Sequence, residues 1–186
     1  LEVLRQPLED KVITVSRSRY SVEYPANFML VASMNPCPCG YYNHPTKECV
    51  CSKGEVFRYL NRISGPMLDR IDMHIEVVPV EFGHLAHRAD EESSDVVRQR
   101  VVAAREIQQQ RFATEPGLHT NAMMRTRELR VHCALTAESH RLLEAAMARL
   151  NLSARAYDRI LKVARTIADL AGERDILPAH IAEAIQ

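Results

Sequence analysis

Four cysteines lie close together in one short segment of the chain. Cys37, Cys39, Cys49 and Cys51 form the pattern C-x-C-x9-C-x-C. Four thiolates in two close pairs suit a tetrahedral structural zinc ion, although pairs of the form C-x2-4-C are more usual. Free thiols and disulfides are the alternatives, and His44 is an alternative to one of the thiolates. The pattern predicts a closed structural zinc site with no open position for catalysis.

Two further polar residues stand beside apolar runs. Asn35 follows the run Phe28–Ala32, which is short enough for a buried strand. An amide at the end of such a strand can orient a water molecule for phosphoryl transfer, or it can simply open an Asn-Pro turn. Arg70 lies just before a second strand-like run, 74–78. It is therefore expected at the edge of the domain, either displayed for function or paired with a neighbouring aspartate.

A hairpin is expected ahead of these residues. Two runs rich in β-formers, 12–15 and 20–24, flank a short polar centre that contains Arg17 and Arg19. Arginines at a hairpin tip can contact the phosphates of DNA through bidentate hydrogen bonds. A solvated tip whose charges protect a sheet edge is the alternative.

The second half of the chain has the pattern of a helical bundle. Apolar residues recur at helical spacing from about residue 96 to 112, from 136 to 150 and from 153 to 171. Ser153 is expected to cap the third of these helices, Gly172 to end it, and Pro178 to open the last helix. Arg155 lies in the first turn of the third helix, where a positive charge opposes the helix dipole. Such a charge makes most sense if an anion approaches, although an exposed solubilising face remains the default interpretation.

The bulk composition is that of a soluble protein. The 186 residues are 46% hydrophobic and 26% charged, with Lys+Arg and Asp+Glu balanced at 24 each. Net charge therefore gives no indication of a nucleic-acid partner, and any basic surface must be local. No apolar run is long enough to cross a bilayer and no signal peptide is present, so a cytoplasmic location without a membrane partner is expected. The chain begins and ends within apolar-periodic segments, which suggests part of a longer protein.

Three motifs together resemble one protein family. MNPCPCGYY and ISGPMLDRID resemble the magnesium-chelatase-related AAA+ ATPases of the ComM/YifB type, and SARAYDRILKVARTIADLAG resembles their C-terminal lid domain. The resemblance covers nearly the whole chain. It implies an α/β segment followed by an all-α segment. Residues 1–80 would be the C-terminal part of an AAA+ core with its sensor-1 strand and hairpin, 81–89 a linker, and 90–186 the helical lid.

The resemblance also implies roles for individual residues. Asn35 would be the sensor-1 residue that helps orient the attacking water, and Arg70 the arginine finger that acts on ATP held by a neighbouring subunit. Arg155 would be the sensor-2 arginine that contacts bound phosphate. The hairpin that carries Arg17 and Arg19 would be the one that reaches into the central pore of related hexameric motors, where it could touch DNA.

One departure from the family is large. The 186 residues contain neither a G-x-x-x-x-G-K-[ST] loop to hold ATP phosphates nor an apolar strand ending in Asp-Glu to hold Mg²⁺. ATP and Mg²⁺ would therefore be bound mainly by other parts of a longer parent, and this chain alone is expected to be inactive. The expected parent is a ring-forming ATPase, with a hexamer the natural ring, that remodels DNA in recombination or transformation. A chelatase motor that drives metal insertion by a partner, and a zinc-binding interaction module, are the alternatives.

Overall fold

The computed structural model describes residues 2–79 and 92–185. The chain divides into two compact units, Leu1–Glu81 and Phe82–Gln186. The predicted linker, 81–89, lies outside the described residues. Each unit is therefore described by itself.

The first unit begins with a helical segment that leads directly into a hairpin. A 3₁₀ turn, Glu2–Leu4, continues into α1, Arg5–Asp10. Pro7 lies in the first turn of α1, where its missing N–H costs no helical hydrogen bond. Lys11 ends α1 in the left-handed region, at φ 58°, and its N–H bonds back to the carbonyl of Pro7.

The predicted hairpin is confirmed. Strands β1, Val12–Arg17, and β2, Tyr20–Pro25, pair antiparallel from Val12↔Pro25 at the base to Arg17↔Tyr20 at the tip. The connection is therefore a two-residue loop, Ser18 and Arg19. Arg17 is the last residue of β1 and Arg19 lies in the loop itself.

The two other strands expected in this unit do not form, so these predictions are wrong. Neither 28–32 nor 74–78 has regular secondary structure, and β1–β2 is the one sheet among residues 2–79 and 92–185. Met29 and Val31 are 86% and 81% exposed. A strand requires a neighbouring backbone for its N–H and C=O groups, and no described segment pairs with either run.

Two short helices follow the cysteine segment. Helix α2, Lys53–Leu60, begins after Ser52, because Ser52 and Glu55 form a capping box. Helix α3, Gly65–Leu68, has Ser64 as its N-cap. These caps determine where the helices begin.

Over residues 92–185 of the second unit, the regular secondary structure is helical, apart from an isolated bridge between Leu135 and Ile176. Its helices are α4 (Ser94–Arg111), a 3₁₀ turn (Asn121–Met123), α5 (Thr126–His132), α6 (Ala137–Leu150), α7 (Ala154–Leu170) and α8 (Pro178–Ile185). The predicted boundaries of α4, α6 and α7 are confirmed within two residues, whereas α5 was not predicted. The expected order of an α/β segment and then an all-α segment is confirmed.

Helix α7 is the centre of this unit. It packs against α4, α5 and α8, and its buried face includes Ile160, Leu161 and Ala164. Leu170 at the end of the helix is 39% exposed, whereas Leu161 and Ala164 are buried. Neighbours on several sides give α7 a wider buried face than one apolar stripe would. Cys133 also lies in this core. Within the described ranges, no helix is long and apolar enough to cross a bilayer.

Candidate functional site

The structure brings the four cysteines together. Their sulfurs all lie within 4.8 Å of one another. The Sγ–Sγ distances are 3.3 Å from Cys37 to Cys39, 3.7 Å from Cys37 to Cys49 and 3.6 Å from Cys39 to Cys49. Four sulfurs at ~2.3 Å from a tetrahedral zinc ion would stand ~3.8 Å apart. The thiols form no disulfides, and their spacing fits a four-thiolate metal site.

Tight turns give the cysteine segment its shape. Gly40 has φ +83°, a backbone conformation that L side chains rarely adopt, and its N–H bonds to the carbonyl of Cys37. Nδ1 of His44 accepts hydrogen bonds from the backbone N–H groups of Thr46 and Lys47, at 3.2 and 3.1 Å. His44 therefore orders the loop, and it is not among the clustered metal-ligand candidates.

The thiols have divergent ionisation properties. A hydrogen bond from the backbone of Tyr41 lowers the pKa of Cys39 to about 6. A backbone hydrogen bond from Cys39 lowers the pKa of Cys51, but desolvation and the neighbouring thiols outweigh it and raise that pKa to about 12. One thiolate therefore forms readily, whereas full ionisation of the cluster requires a bound cation to compensate the accumulated negative charge.

Arg70 is held by contacts within its own unit. Its Nε donates to Oε2 of Glu9 at 3.1 Å, NH2 pairs with the same oxygen, and NH1 donates to the carbonyl of Pro66. The side chain is 16% exposed. Sequence reasoning proposed an ion pair with Asp69 or Asp72; in the structure Arg70 pairs with Glu9, which is distant in sequence. The pair joins α1 to the segment that follows α3.

A second contact holds the same two segments together. NH2 of Arg5 donates to Oγ of Ser64 at 2.6 Å, and Arg5 also pairs with Glu2. A hydrogen bond from Ser64 lowers the pKa of Glu2. Because Ser64 caps α3, the position of α1 bears directly on the turn that presents Arg70. Sequence analysis missed this link, since nothing in the spacing of the residues indicates it.

The other two predicted nucleotide-site residues are both exposed. Asn35 lies two residues before Cys37, in a segment without regular secondary structure. Arg155 is the second residue of α7. The N-cap of this helix is Ser153, whose hydroxyl accepts a hydrogen bond from the N–H of Ala156 at 3.2 Å. Arg155 is in the second unit, whereas Asn35 and Arg70 are in the first. The two hairpin arginines, Arg17 and Arg19, are exposed as well.

A buried polar network in the second unit was not foreseen. Asp169 accepts hydrogen bonds from both NH groups of Arg111, from Nδ2 of Asn121 at 2.7 Å and from Nε of Arg165 at 3.1 Å. Arg165 also donates to the carbonyls of residues 173 and 174, at 2.6 and 2.7 Å. The side chain of Asp169 is fully buried.

This network is structural. It joins α4, the 3₁₀ turn, α7 and residues 173 and 174 of the α7–α8 connection through charge-assisted hydrogen bonds. The i, i+4 spacing of Arg165 and Asp169 was a usable signal, but such pairs more often lie on a solvated helix face. Their burial depends on α4, which supplies Arg111 from 58 residues away.

Two family models match the chain. One, described as magnesium chelatase, subunit ChlI, matches residues 1–85. The other, described as magnesium chelatase, subunit ChlI C-terminal, matches residues 91–186. Together they cover both structural units.

Several curated proteins are similar along the chain. The competence protein ComM of Haemophilus influenzae is 45% identical over 186 residues, which is 100% of this chain and 35% of that protein. YifB of Escherichia coli is 44% identical over 188 residues, again 100% of this chain and 35% of that protein. The Mycobacterium bovis protein Mb2921c is 41% identical over 172 residues, 92% of this chain and 33% of that protein.

The chain thus spans about a third of the length of these relatives. Its two units correspond to the two matched family models, and the observed order of a mixed α/β segment and a helical bundle agrees with a partial AAA+ core followed by its lid. On these grounds the chain belongs to the magnesium-chelatase-related AAA+ family, to which ComM and YifB also belong.

Proposed function

We propose that this chain is part of a ring-forming ATPase that couples ATP hydrolysis to the remodelling of DNA, by helicase or branch-migration action in recombination or natural transformation. The observation that carries the proposal is the 45% identity, along the whole chain, to a competence protein. Competence is the capacity of a cell to take up DNA. A protein that serves it by ATP hydrolysis has DNA as its natural substrate.

The ATPase site in this proposal is shared between subunits. Arg70 acts as the arginine finger on ATP held by the neighbouring subunit, Asn35 orients the attacking water, and Arg155 contacts the phosphates from the lid. An arginine finger stabilises the charge that develops on the transferred phosphoryl group, and it can change the rate by about 10³-fold or more. ATP and Mg²⁺ are bound mainly by residues outside these 186, so the chain alone is inactive.

The contacts of Arg70 suit such a role. Glu9 and the carbonyl of Pro66 hold the guanidinium in one position, and the carboxylate of Glu9 balances its positive charge. A phosphate oxygen from a neighbouring subunit competes with Glu9 for the same donors. The finger is therefore held in place before it engages, which limits the entropy lost when it does.

The cysteine cluster serves a structural purpose in this proposal. A zinc ion held by Cys37, Cys39, Cys49 and Cys51 fixes the loop between Asn35 and α2, and it has no open coordination position for catalysis. Since Cys37 lies two residues from Asn35, the ion would also stabilise the position of that amide. Arg17 and Arg19 at the hairpin tip are the proposed contacts to DNA phosphates.

The test is ATP hydrolysis by the full-length protein, with and without branched DNA. We expect DNA to stimulate hydrolysis. Arg70→Ala is expected to reduce turnover by about 10³-fold while ATP binding is retained, because the finger acts on the transition state and not on the bound ground state. Arg58→Ala removes an exposed arginine whose Nε donates to the carbonyl of Gly54 within α2, and it serves as the control.

The outcomes separate the candidates. Unchanged turnover in Arg70→Ala would remove Arg70 from the site. Hydrolysis that is indifferent to DNA would favour the second candidate, a motor that drives metal insertion by a partner, for which the description of the matched family models is the supporting observation. No hydrolysis under any condition would favour a zinc-binding interaction module.

A further inference from the structure

The two faces of the β1–β2 hairpin differ in chemistry. Because side chains alternate along a strand, each cross-strand pair lies on one face. One face carries three pairs: Ile13↔Tyr24, Val15↔Val22 and Arg17↔Tyr20. All six of these residues are exposed, with Tyr20 at 75% and Tyr24 at 54%. We call this the tyrosine face.

The opposite face is mixed and partly covered. Its pairs are Val12↔Pro25, Thr14↔Glu23 and Ser16↔Ser21, and the two serine hydroxyls lie 3.0 Å apart. Val12 and Thr14 on this face are half-buried, whereas no residue of the tyrosine face is. Over residues 13–24 the usual arrangement of a hairpin, apolar side inward and polar side outward, is therefore reversed. An apolar surface turned to solvent in this way marks a binding site.

The charges on the hairpin indicate the kind of ligand. The tyrosine face ends in Arg17, and Arg19 follows in the loop, while the one carboxylate of the hairpin, Glu23, points from the other face. The tyrosine face thus combines positive charge at its tip with flat aromatic groups and carries no negative charge. Proteins that bind single-stranded nucleic acid combine cationic side chains for the backbone with aromatic rings on which bases stack.

We propose that the tyrosine face binds single-stranded DNA, with Tyr20 stacking on a base and Arg17 pairing with the adjoining phosphate. The inference rests on the proposed function and names the form of DNA that the hairpin engages. Tyr20 and Arg17 are cross-strand partners at the tip, so a base and its phosphate can be contacted together. Tyr24 lies four residues along the same strand, ~13 Å away, and stacks on a different base.

Neither duplex DNA nor a second copy of the chain suits this face as well. The bases of a duplex are already stacked on each other, so their flat surfaces are closed to a tyrosine ring. A second copy would present an identical face with the same positive charge and no carboxylate. A single strand supplies both the exposed base surfaces and the negative charge that the face lacks.

The experiment compares two ligands of equal charge. Binding of the full-length protein is measured by fluorescence anisotropy with a 20-nucleotide oligothymidine and with an abasic 20-mer that has the same phosphates and no bases. Wild-type protein is expected to bind the oligothymidine more tightly. Tyr20→Ala should weaken that binding at least about fivefold and leave binding to the abasic strand unchanged, since stacking needs a base.

Three further variants make the result specific. Tyr20→Phe retains the ring and should bind as the wild type does. Arg17→Ala should weaken binding to both strands and reduce the slope of log K against log salt by about 1. Tyr42→Ala removes another exposed tyrosine, on the cysteine loop, and should change neither ligand's binding.

The proposal and the proposed function can fail separately. Equal binding of the two strands by wild-type protein, with no effect of Tyr20→Ala, would overturn the stacking assignment while DNA binding itself stands. Stronger binding to a duplex of the same length would also overturn it. Failure to bind any DNA would overturn both. If Tyr20→Ala keeps its DNA binding but loses self-association, measured by light scattering, the face would instead bind a second copy of the chain.

Discussion

The two units of the molecule are stabilised in different ways. Among the described residues of the first unit, the buried side chains are Pro7, Cys37, Val56 and Met67. Among the described residues of the second unit, one core cluster contains residues of α5, α6, α7 and α8, together with Phe112, the C-cap of α4. The second unit also contains the buried network of Asp169.

This difference shows how each unit maintains its structure. The first depends on local devices: a hairpin, two capped short helices, the Glu9–Arg70 pair and the cluster of four thiols. Few of these features bury apolar surface. When one of them is removed, little other stabilising free energy remains to hold the unit folded. The second unit is held by side chains from many parts of its sequence. A substitution in the first unit should therefore disturb only its neighbourhood. A substitution in the core of the second unit should lower the stability of that whole unit.

The largest expected effect is the loss of metal from the first unit. Chelation of zinc, or Cys37→Ser, is expected to unfold the segment from residue 37 to 51 and to leave the second unit unchanged. Structural zinc contributes ~10–16 kcal/mol of binding free energy in zinc-finger peptides, and the few buried side chains among the described residues of the first unit cannot replace it. Metal content and hydrogen exchange measured on the same sample would show both effects.

Cys133→Ala is the matched control for that experiment. Cys133 is buried in the core of the second unit, and desolvation by burial raises its pKa to about 11, so it remains a protonated core residue. The variant should keep its zinc and lose stability only in the second unit. Zinc-free protein with unchanged exchange protection over 37–51 would contradict the metal assignment.

A smaller effect is expected for the buried network of the second unit. Asp169→Ala should lower the free energy of unfolding of that unit by about 3–5 kcal/mol, because it leaves Arg111 and Arg165 without their shared carboxylate. Urea denaturation followed by circular dichroism measures the change. Glu144→Ala, which removes an exposed carboxylate of α6, should change it by about 0.5 kcal/mol or less. Equal effects of the two variants would contradict the proposed importance of the network.

The smallest effect is a dependence on pH that is confined to the second unit. Desolvation, followed by the nearby Arg111, lowers the pKa of His132 below its usual value of 6.5, and its ring packs edge-on against Phe112 at 5.4 Å. The unfolded chain therefore binds more protons than the folded one as pH falls below 6.5. Stability should be complete above that pH and decrease below it. His132→Gln should flatten the decrease between pH 7 and 5 in thermal melts, and an unaltered profile would assign the dependence to other groups.

Much of the fold could be predicted from local patterns. The hairpin, the caps at Ser153 and Gly172, the start of α8 at Pro178 and the core position of Cys133 all follow from propensity, capping and periodicity within a few residues. The four cysteines were recognisable as a cluster for the same reason, since their ligand atoms are supplied by one short segment. The assignment of α5 was missed because its seven residues contain too little periodic pattern.

Sequence alone was enough to predict those elements whose hydrogen-bond partners or metal-ligand atoms lie near each other along the chain. Tertiary structure decided the rest: that Glu9 holds Arg70, that Asp169 joins Arg111 and Arg165 in a buried network, and that the run from Phe28 has no strand to pair with. These features depend on groups about 60 residues apart, or on a neighbouring backbone. Local propensity carries no information about such partners, because the free energy of each contact arises only when folding brings the two groups together.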